Sequence, residues 1–217
     1  MFNDKTIEAK PSAIITGIAA PLPFDNLDTD QIMPKQFLLG IDKSGLAKGV
    51  FHDMRFDETA TPRQDFVLNH PQFRNATILV TGSNFGCGSS REHAVWGLQQ
   101  AGFKAVIASS FGEIFYFNSI ANGLLALIMD ESVVAQLLKC ANNAGTFSID
   151  VANQCIETDL GERFPFALPD RQRRMFLEGL DQIGLTLKEG DAIDQFEQQH
   201  FRHHPWMKID LPEQSVL

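Results

Sequence analysis

The sequence predicts an α/β fold in which a partly parallel sheet is flanked by helices. Three observations carry this. Between residues 76 and 140, short apolar runs of strand length alternate with helical patterns. From 146 to 168 the pattern changes to short strands separated by turns. After that the chain returns to helical patterns. Parallel neighbours need a crossover, and the intervening helices supply it.

Each element has a local reason. Residues 12–20, "SAIITGIAA", are rich in Ile, Ala and Thr and read as a strand stopped by Pro21 and Pro23. "FDNLDTDQI" is an acidic loop with turn chemistry. "PKQFLLG" reads as a short helix with Pro34 at its first position and Gly40 at its end. Residues 41–75 mix Gly, Pro and charges and predict loops with short elements. "ATILVTG" is a strand, followed by a glycine-rich loop and the helix "SREHAVWGLQQAG". In that helix Ala94, Leu98 and Ala101 recur at helical spacing, and Gly102 is a good stop. "KAVIASS" and "LLALIM" are strands on either side of the helix "GEIFYFNSIANG". "DESVVAQLLKCANN" is an amphipathic helix with an acidic start. "FSIDV", "QCIETD" and "RFPFAL" predict the late strands, and "DRQRRMFLEGLD" and "EGDAIDQFEQQHF" the final helices.

Bulk composition excludes several function classes. The chain has 217 residues, of which 44% are hydrophobic and 21% charged, as in an ordinary globular protein. Its formal net charge is −9 and it has no Lys/Arg run, which argues against nucleic acid or an anionic membrane as partner. An anionic substrate would therefore need local positive groups. The first residues lack the pattern expected of a signal peptide, and no apolar run approaches the ~20 residues of a membrane span. Cys87, Cys140 and Cys155 are odd in number and widely spaced, so reduced thiols in a cytoplasm are expected. Nothing has the spacing of a zinc or iron–sulfur site built by this chain alone.

The stretch "GSNFGCGSSREHA" has four readings. Ser89 and Glu92 fit a capping box, with the glycines only turning the chain. A phosphate cradle would want a third glycine where Arg91 stands, and a P-loop would want Lys-Ser/Thr. Cys87 near a helix N-terminus could be a reactive thiol, although its sequence neighbour His93 is poorly placed to activate it. The fourth reading is a carboxylate site: helix N–H groups, the hydroxyls of Ser89 and Ser90, and the planar fork of Arg91.

These residues carry a resemblance. "NFGCGSSREHA" resembles the signature of 3-isopropylmalate dehydratase small subunits, in the aconitase superfamily. "DTDQIMPKQFL", "DFVLNHPQF", "GFKAVIASSFGEIFYFNS", "NGLLAL" and "GLDQIGLTL" resemble the same family in the same order, over residues 12–200. The resemblance implies a swivelling β/β/α domain at 1–200, followed by a tail at 201–217. It implies a large-subunit partner that carries a [4Fe–4S] cluster, with no cofactor in this chain. The implied reaction moves a hydroxyl between neighbouring carbons of a dicarboxylate, from 2-isopropylmalate to 3-isopropylmalate through the maleate, in leucine biosynthesis. By similarity Ser89 is the catalytic base. Ser90 and Arg91 bind substrate carboxylate, and Asp30 matches an acidic active-site position. Read without the resemblance, Asp28 and Asp30 are ordinary turn residues.

Substrate choice is legible only in part. Tricarboxylate-handling relatives place an arginine roughly a dozen residues after this aspartate, whereas residues 37–42 here are "FLLGID". Phe37, Leu38 and Leu39 either receive a branched alkyl arm or pack a short helix. The sequence departs from the family at Val95 and Gly97, where Pro and Ala are familiar, and at Met54, where Trp is usual. These departures leave room for a citramalate or homocitrate hydro-lyase. Two other classes stay open at this point: a non-catalytic module that closes over a partner, and a thiol enzyme using Cys87. His200, His203 and His204 read as a solvated tail.

Overall fold

The computed structural model describes residues 13–38 and 45–208. They form two compact units, the first ending at Gly179 and the second beginning at Leu180. The first unit is built on a seven-stranded sheet. Its strands are β1 (Ile14–Leu22), β2 (Ala76–Thr81), β3 (Ala105–Ala108), β4 (Leu125–Ile128), β5 (Thr146–Asp150), β6 (Cys155–Thr158) and β7 (Arg163–Pro165). They lie in the order β4-β3-β2-β1-β5-β6-β7. β1 to β4 pair in parallel. β5, β6 and β7 add an antiparallel wing beside β1.

The helices follow from the crossovers. α1 (Thr29–Ile32) and α2 (His52–Arg55) lie between β1 and β2, with short 3-10 turns around them. α3 (Glu92–Gln100) joins β2 to β3, α4 (Glu113–Ala121) joins β3 to β4, and α5 (Glu131–Ala141) leads from β4 to β5. α6 (Asp170–Glu178) ends the first unit at Gly179, a residue in the left-handed region. The second unit holds α7 (Gln182–Leu187) and α8 (Gly190–His203). Among the described residues no helix is long and apolar enough to cross a membrane.

Alternation along the strands divides the core into two clusters. Leu79 of β2 and Val106 and Ala108 of β3 join Ala94, Val95 and Leu98 of α3 on one face. Ile78, Val80, Ala105 and Ile107 join Val134 and Leu137 of α5 on the other. Strands buried on both faces read as continuous apolar runs, which is why "ATILVTG" and "KAVIASS" do. Each such Val, Leu or Ile stabilises the fold by about 1.5–3 kcal/mol on burial.

Three local features differ from the sequence reading. Pro21 does not stop β1, which continues to Leu22 and pairs Pro21 with Val80. The Ala19 N–H points to the wing side, where it donates to the Gly145 carbonyl. Two residues on, Pro21 faces the same side, beyond the last β5 pairing at Ile18, so its missing N–H costs no ladder bond. α7 is a helix that no sequence period announced; Asp181 caps it by accepting from the Gly184 N–H. Finally, the 3-10 turn Lys35–Phe37 replaces the expected short helix, and its expected stop at Gly40 lies outside the described residues.

Candidate active site

Loops 23–28, 82–91 and 109–112 follow β1, β2 and β3 and meet at the carboxyl end of the parallel strands. In open α/β sheets this is the edge that receives ligands. The middle loop extends the parallel pairing past the strands. On one side Asp28 pairs with Cys87, the Thr29 N–H donates to the Cys87 carbonyl at 2.9 Å, and the Gly86 N–H donates to Leu27 at 2.7 Å. On the other side Phe85 pairs with Phe111, and the Gly112 N–H donates to the Phe85 carbonyl at 2.9 Å.

Side chains lock the same seam. The Asp25 carboxylate accepts from the Ser83 N–H at 2.6 Å and the Ser83 hydroxyl at 2.9 Å. Those two bonds hold its carboxyl below the usual range. The Asn84 amide donates to Asn26 at 2.8 Å, and the Asn84 N–H to the Ser110 hydroxyl at 2.8 Å. Two glycines permit this closeness. Gly86 has φ +75°, and a Cβ there would run into the Phe115 ring. A Cβ on Gly112 would meet the Gly86 carbonyl.

The seam displays Gly88, Ser89 and Ser90, all exposed, just before α3. The capping box expected at Ser89 and Glu92 does not form. The N-cap of α3 is Arg91, with no side-chain cap bond, and Glu92 is the first helical residue. Its carboxylate instead accepts from the Asn122 amide at 2.6 Å. Trp96 Nε1 donates to the same Asn122 at 2.9 Å, so this network ties the start of α3 to the end of α4. A capping box does exist nearby, at α1: Asp28 is the N-cap and Gln31 reaches back to it.

The structure brings Asp30, Ser89 and Arg91 together. The Arg91 guanidinium, 18% exposed, forms an ion pair with the Asp30 carboxylate. The Ser89 carbonyl accepts from the Arg91 N–H at 2.8 Å. Ser90 adjoins them in the chain with its side chain open to solvent. Sequence reasoning missed Thr29. Its hydroxyl lies 3.0 Å from Ser89 Oγ and donates to the Ser89 carbonyl at 3.1 Å. The D-x-x-Q spacing of Asp28 and Gln31 was the available signal, because it starts a helix at Thr29 and so fixes where that hydroxyl points.

Other sequence candidates sort by environment. Burial first, and then the Asp28 carboxylate, push the Cys87 thiol above its usual range. A thiol so placed is a poor nucleophile. Phe37 and Leu38 are half-buried and pack on the core cluster that contains Met33 and Val50. Leu39 lies outside the described residues. Among the described residues, no group of three or more His, Cys, Asp or Glu side chains is arranged to hold a metal ion.

Comparison with known proteins adds three findings. The Aconitase C-terminal domain family matches residues 10–132, and the family of C-terminal domains from 3-isopropylmalate dehydratase small subunits matches residues 183–210. The chain is 54% identical to 3-isopropylmalate dehydratase small subunit 1 of Chromobacterium violaceum, over 89% of this chain and 92% of that one. It is 46% identical to the 3-isopropylmalate dehydratase small subunit of Paracoccus denitrificans, over 89% of this chain and 97% of that one. Among solved structures, 3-isopropylmalate dehydratase of Methanocaldococcus jannaschii superposes with a TM-score of 0.61 at 29% identity, covering 85% of this chain and 99% of that one.

Proposed function

We infer that this chain, which belongs to the family of 3-isopropylmalate dehydratase small subunits within the aconitase superfamily, is one half of a hydro-lyase of leucine biosynthesis. Paired with a large subunit in the cytoplasm, it interconverts 2-isopropylmalate and 3-isopropylmalate through 2-isopropylmaleate. The observation that supports this reading is the meeting of Asp30, Ser89 and Arg91 on an exposed edge. An edge of this kind is half of a site that a second chain can close.

The chemistry follows from the groups present. Loss of water breaks a C–O bond on one carbon and a C–H bond on the next. A [4Fe–4S] cluster on the large subunit would supply the Lewis acid that polarises the departing hydroxyl. This chain supplies the base and the grip. Ser89 Oγ takes the proton from the carbon beside a carboxylate, and returns a proton on rehydration. A serine hydroxyl does this only where positive charge favours its anion. Arg91 and the N-terminal end of α3 provide that charge. A guanidinium has five N–H donors, so Arg91 can hold Asp30 and a substrate carboxylate together. Asp30 fixes the fork, and the Ser90 hydroxyl adds a donor to the substrate.

The reading is tested by assaying the reconstituted pair on 2-isopropylmalate, citramalate and homocitrate and following the absorbance of the unsaturated intermediate. Preference for 2-isopropylmalate is expected. Preference for either of the others would reassign the substrate, and turnover of none would overturn the hydro-lyase reading.

A further inference from the structure

Thr29 is 1% exposed, yet its hydroxyl reaches the exposed serine loop. Two independent constraints set its position. Its N–H is held by the Cys87 carbonyl at 2.9 Å, and it is the first residue of α1, directly after the Asp28 N-cap of the Asp28–Gln31 capping box. From there Thr29 Oγ1 lies 3.0 Å from Ser89 Oγ and 3.1 Å from the Ser89 carbonyl oxygen. A hydroxyl has one proton to donate, so it serves one of these two acceptors at a time.

We propose that Thr29 is a positioning residue for the reaction: its hydroxyl fixes the Ser89 side chain and stabilises the deprotonated Ser89 oxygen. While Ser89 is neutral, its O–H donates to Thr29 Oγ1 and the Thr29 O–H donates to the Ser89 carbonyl. When Ser89 has lost its proton to solvent, the Thr29 O–H turns from the carbonyl to the Ser89 oxyanion. A charge-assisted O–H···O⁻ bond is shorter and about twice as strong as a neutral one. The Ser89 carbonyl is not left unpaired by the turn, because the Arg91 N–H still donates to it at 2.8 Å. The Ser89 oxyanion then takes the proton of the substrate C–H bond, and Thr29 turns back.

The charged and titratable groups around Ser89 set the background. Asp28, the N-cap of α1, is bridged to Cys87 in the loop that carries Ser89, Asp30 is ion-paired with Arg91 two residues along that loop, and Glu92 follows at the start of α3. Arg91 is the cation among them, and Asp30 is paired with it. Glu92 is engaged with Asn122. A directed hydrogen bond from a neutral neighbour therefore complements Arg91 against two nearby aspartates.

The inference rests on Ser89 as base, so the experiment carries its own control. Thr29→Val, Thr29→Ser and Ser89→Ala are each reconstituted with the large subunit, and kcat, KM and the pH profile of kcat are measured. Thr29→Val is expected to lower kcat by roughly 10- to 100-fold with little change in KM. The rising limb of its pH profile moves to higher pH, because removing a bond to the anion raises the serine's pKa. Thr29→Ser keeps the hydroxyl and restores kcat to within about threefold, with the limb near its original place. A packing role alone would impair both Thr29 variants and leave the limb unmoved, which overturns the proposal. If Thr29→Val fails to pair with the large subunit, Thr29→Ala carries the same two expectations. Wild-type kcat in Thr29→Val beside an inactive Ser89→Ala refutes Thr29 and leaves the base in place. Wild-type kcat in Ser89→Ala refutes the base, and Thr29 with it.

Discussion

In the parallel half of the sheet, β2 and β3 are covered on both faces, by α3 on one side and α5 on the other. In the antiparallel wing, Phe147, Ile149, Ile156 and Phe164 all turn to the α5 side, whereas Thr146, Glu157 and Arg163 are exposed. These polar residues lie on the other face, where Arg163 and Glu157 form an exposed ion pair at 4.0 Å. In the parallel half, covering both faces leaves the strand ends as the place where polar groups can gather. Three loops meet there, and Ser89, Arg91 and Asp30 come with them. The candidate site follows from topology as much as from motif.

Substitutions in the two halves should break differently. Ser89→Ala in the reconstituted pair is expected to lower kcat by about 10²–10⁴-fold, the usual contribution of a general base, with no loss of melting temperature. A wild-type rate would make Ser89 a mere loop residue. Gly86→Ala combines a positive φ with a Cβ inside the Phe115 ring, so a stability loss of roughly 3 kcal/mol or more is expected by denaturant titration, together with lost activity. In the wing, Ile156→Ala empties a fully buried position and should cost about 2–5 kcal/mol. The folded fraction of that variant should keep wild-type kcat, and a selective loss of kcat would mean the wing touches the chemistry. Arg91→Lys exchanges a planar fork for a point charge and should raise KM by roughly 10-fold. Cys87→Ser should change turnover least, because burial and Asp28 already hold that thiol in its neutral form.

Much of this contrast was legible in the sequence, for physical reasons. Strands buried on both faces leave unbroken apolar runs, so β2, β3 and β4 stand out as strands. The wing strands show as short elements between turns. Pro21 misled because a strand's tolerance for proline depends on which neighbour has already ended, and that is a tertiary fact. The capping box misled in a similar way. Its pattern at Ser89 is real, but the loop is held by backbone pairing to Leu27, Thr29 and Phe111, and this places Ser89 three residues before the helix. The same pattern at Asp28 and Gln31, read only as turn chemistry, is the one the structure uses. Thr29 was invisible because its contact with Ser89 joins positions 60 apart in the chain.

The central claim is that this chain presents half of a catalytic site and a second chain presents the rest. It is tested most directly by titrating the purified chain into a fixed amount of large subunit while following the absorbance of 2-isopropylmaleate. The account predicts no turnover from either chain alone, and a rate that rises to a plateau as the pair forms. Turnover by this chain with no partner present would contradict it, as would a large subunit that reaches full rate without this chain.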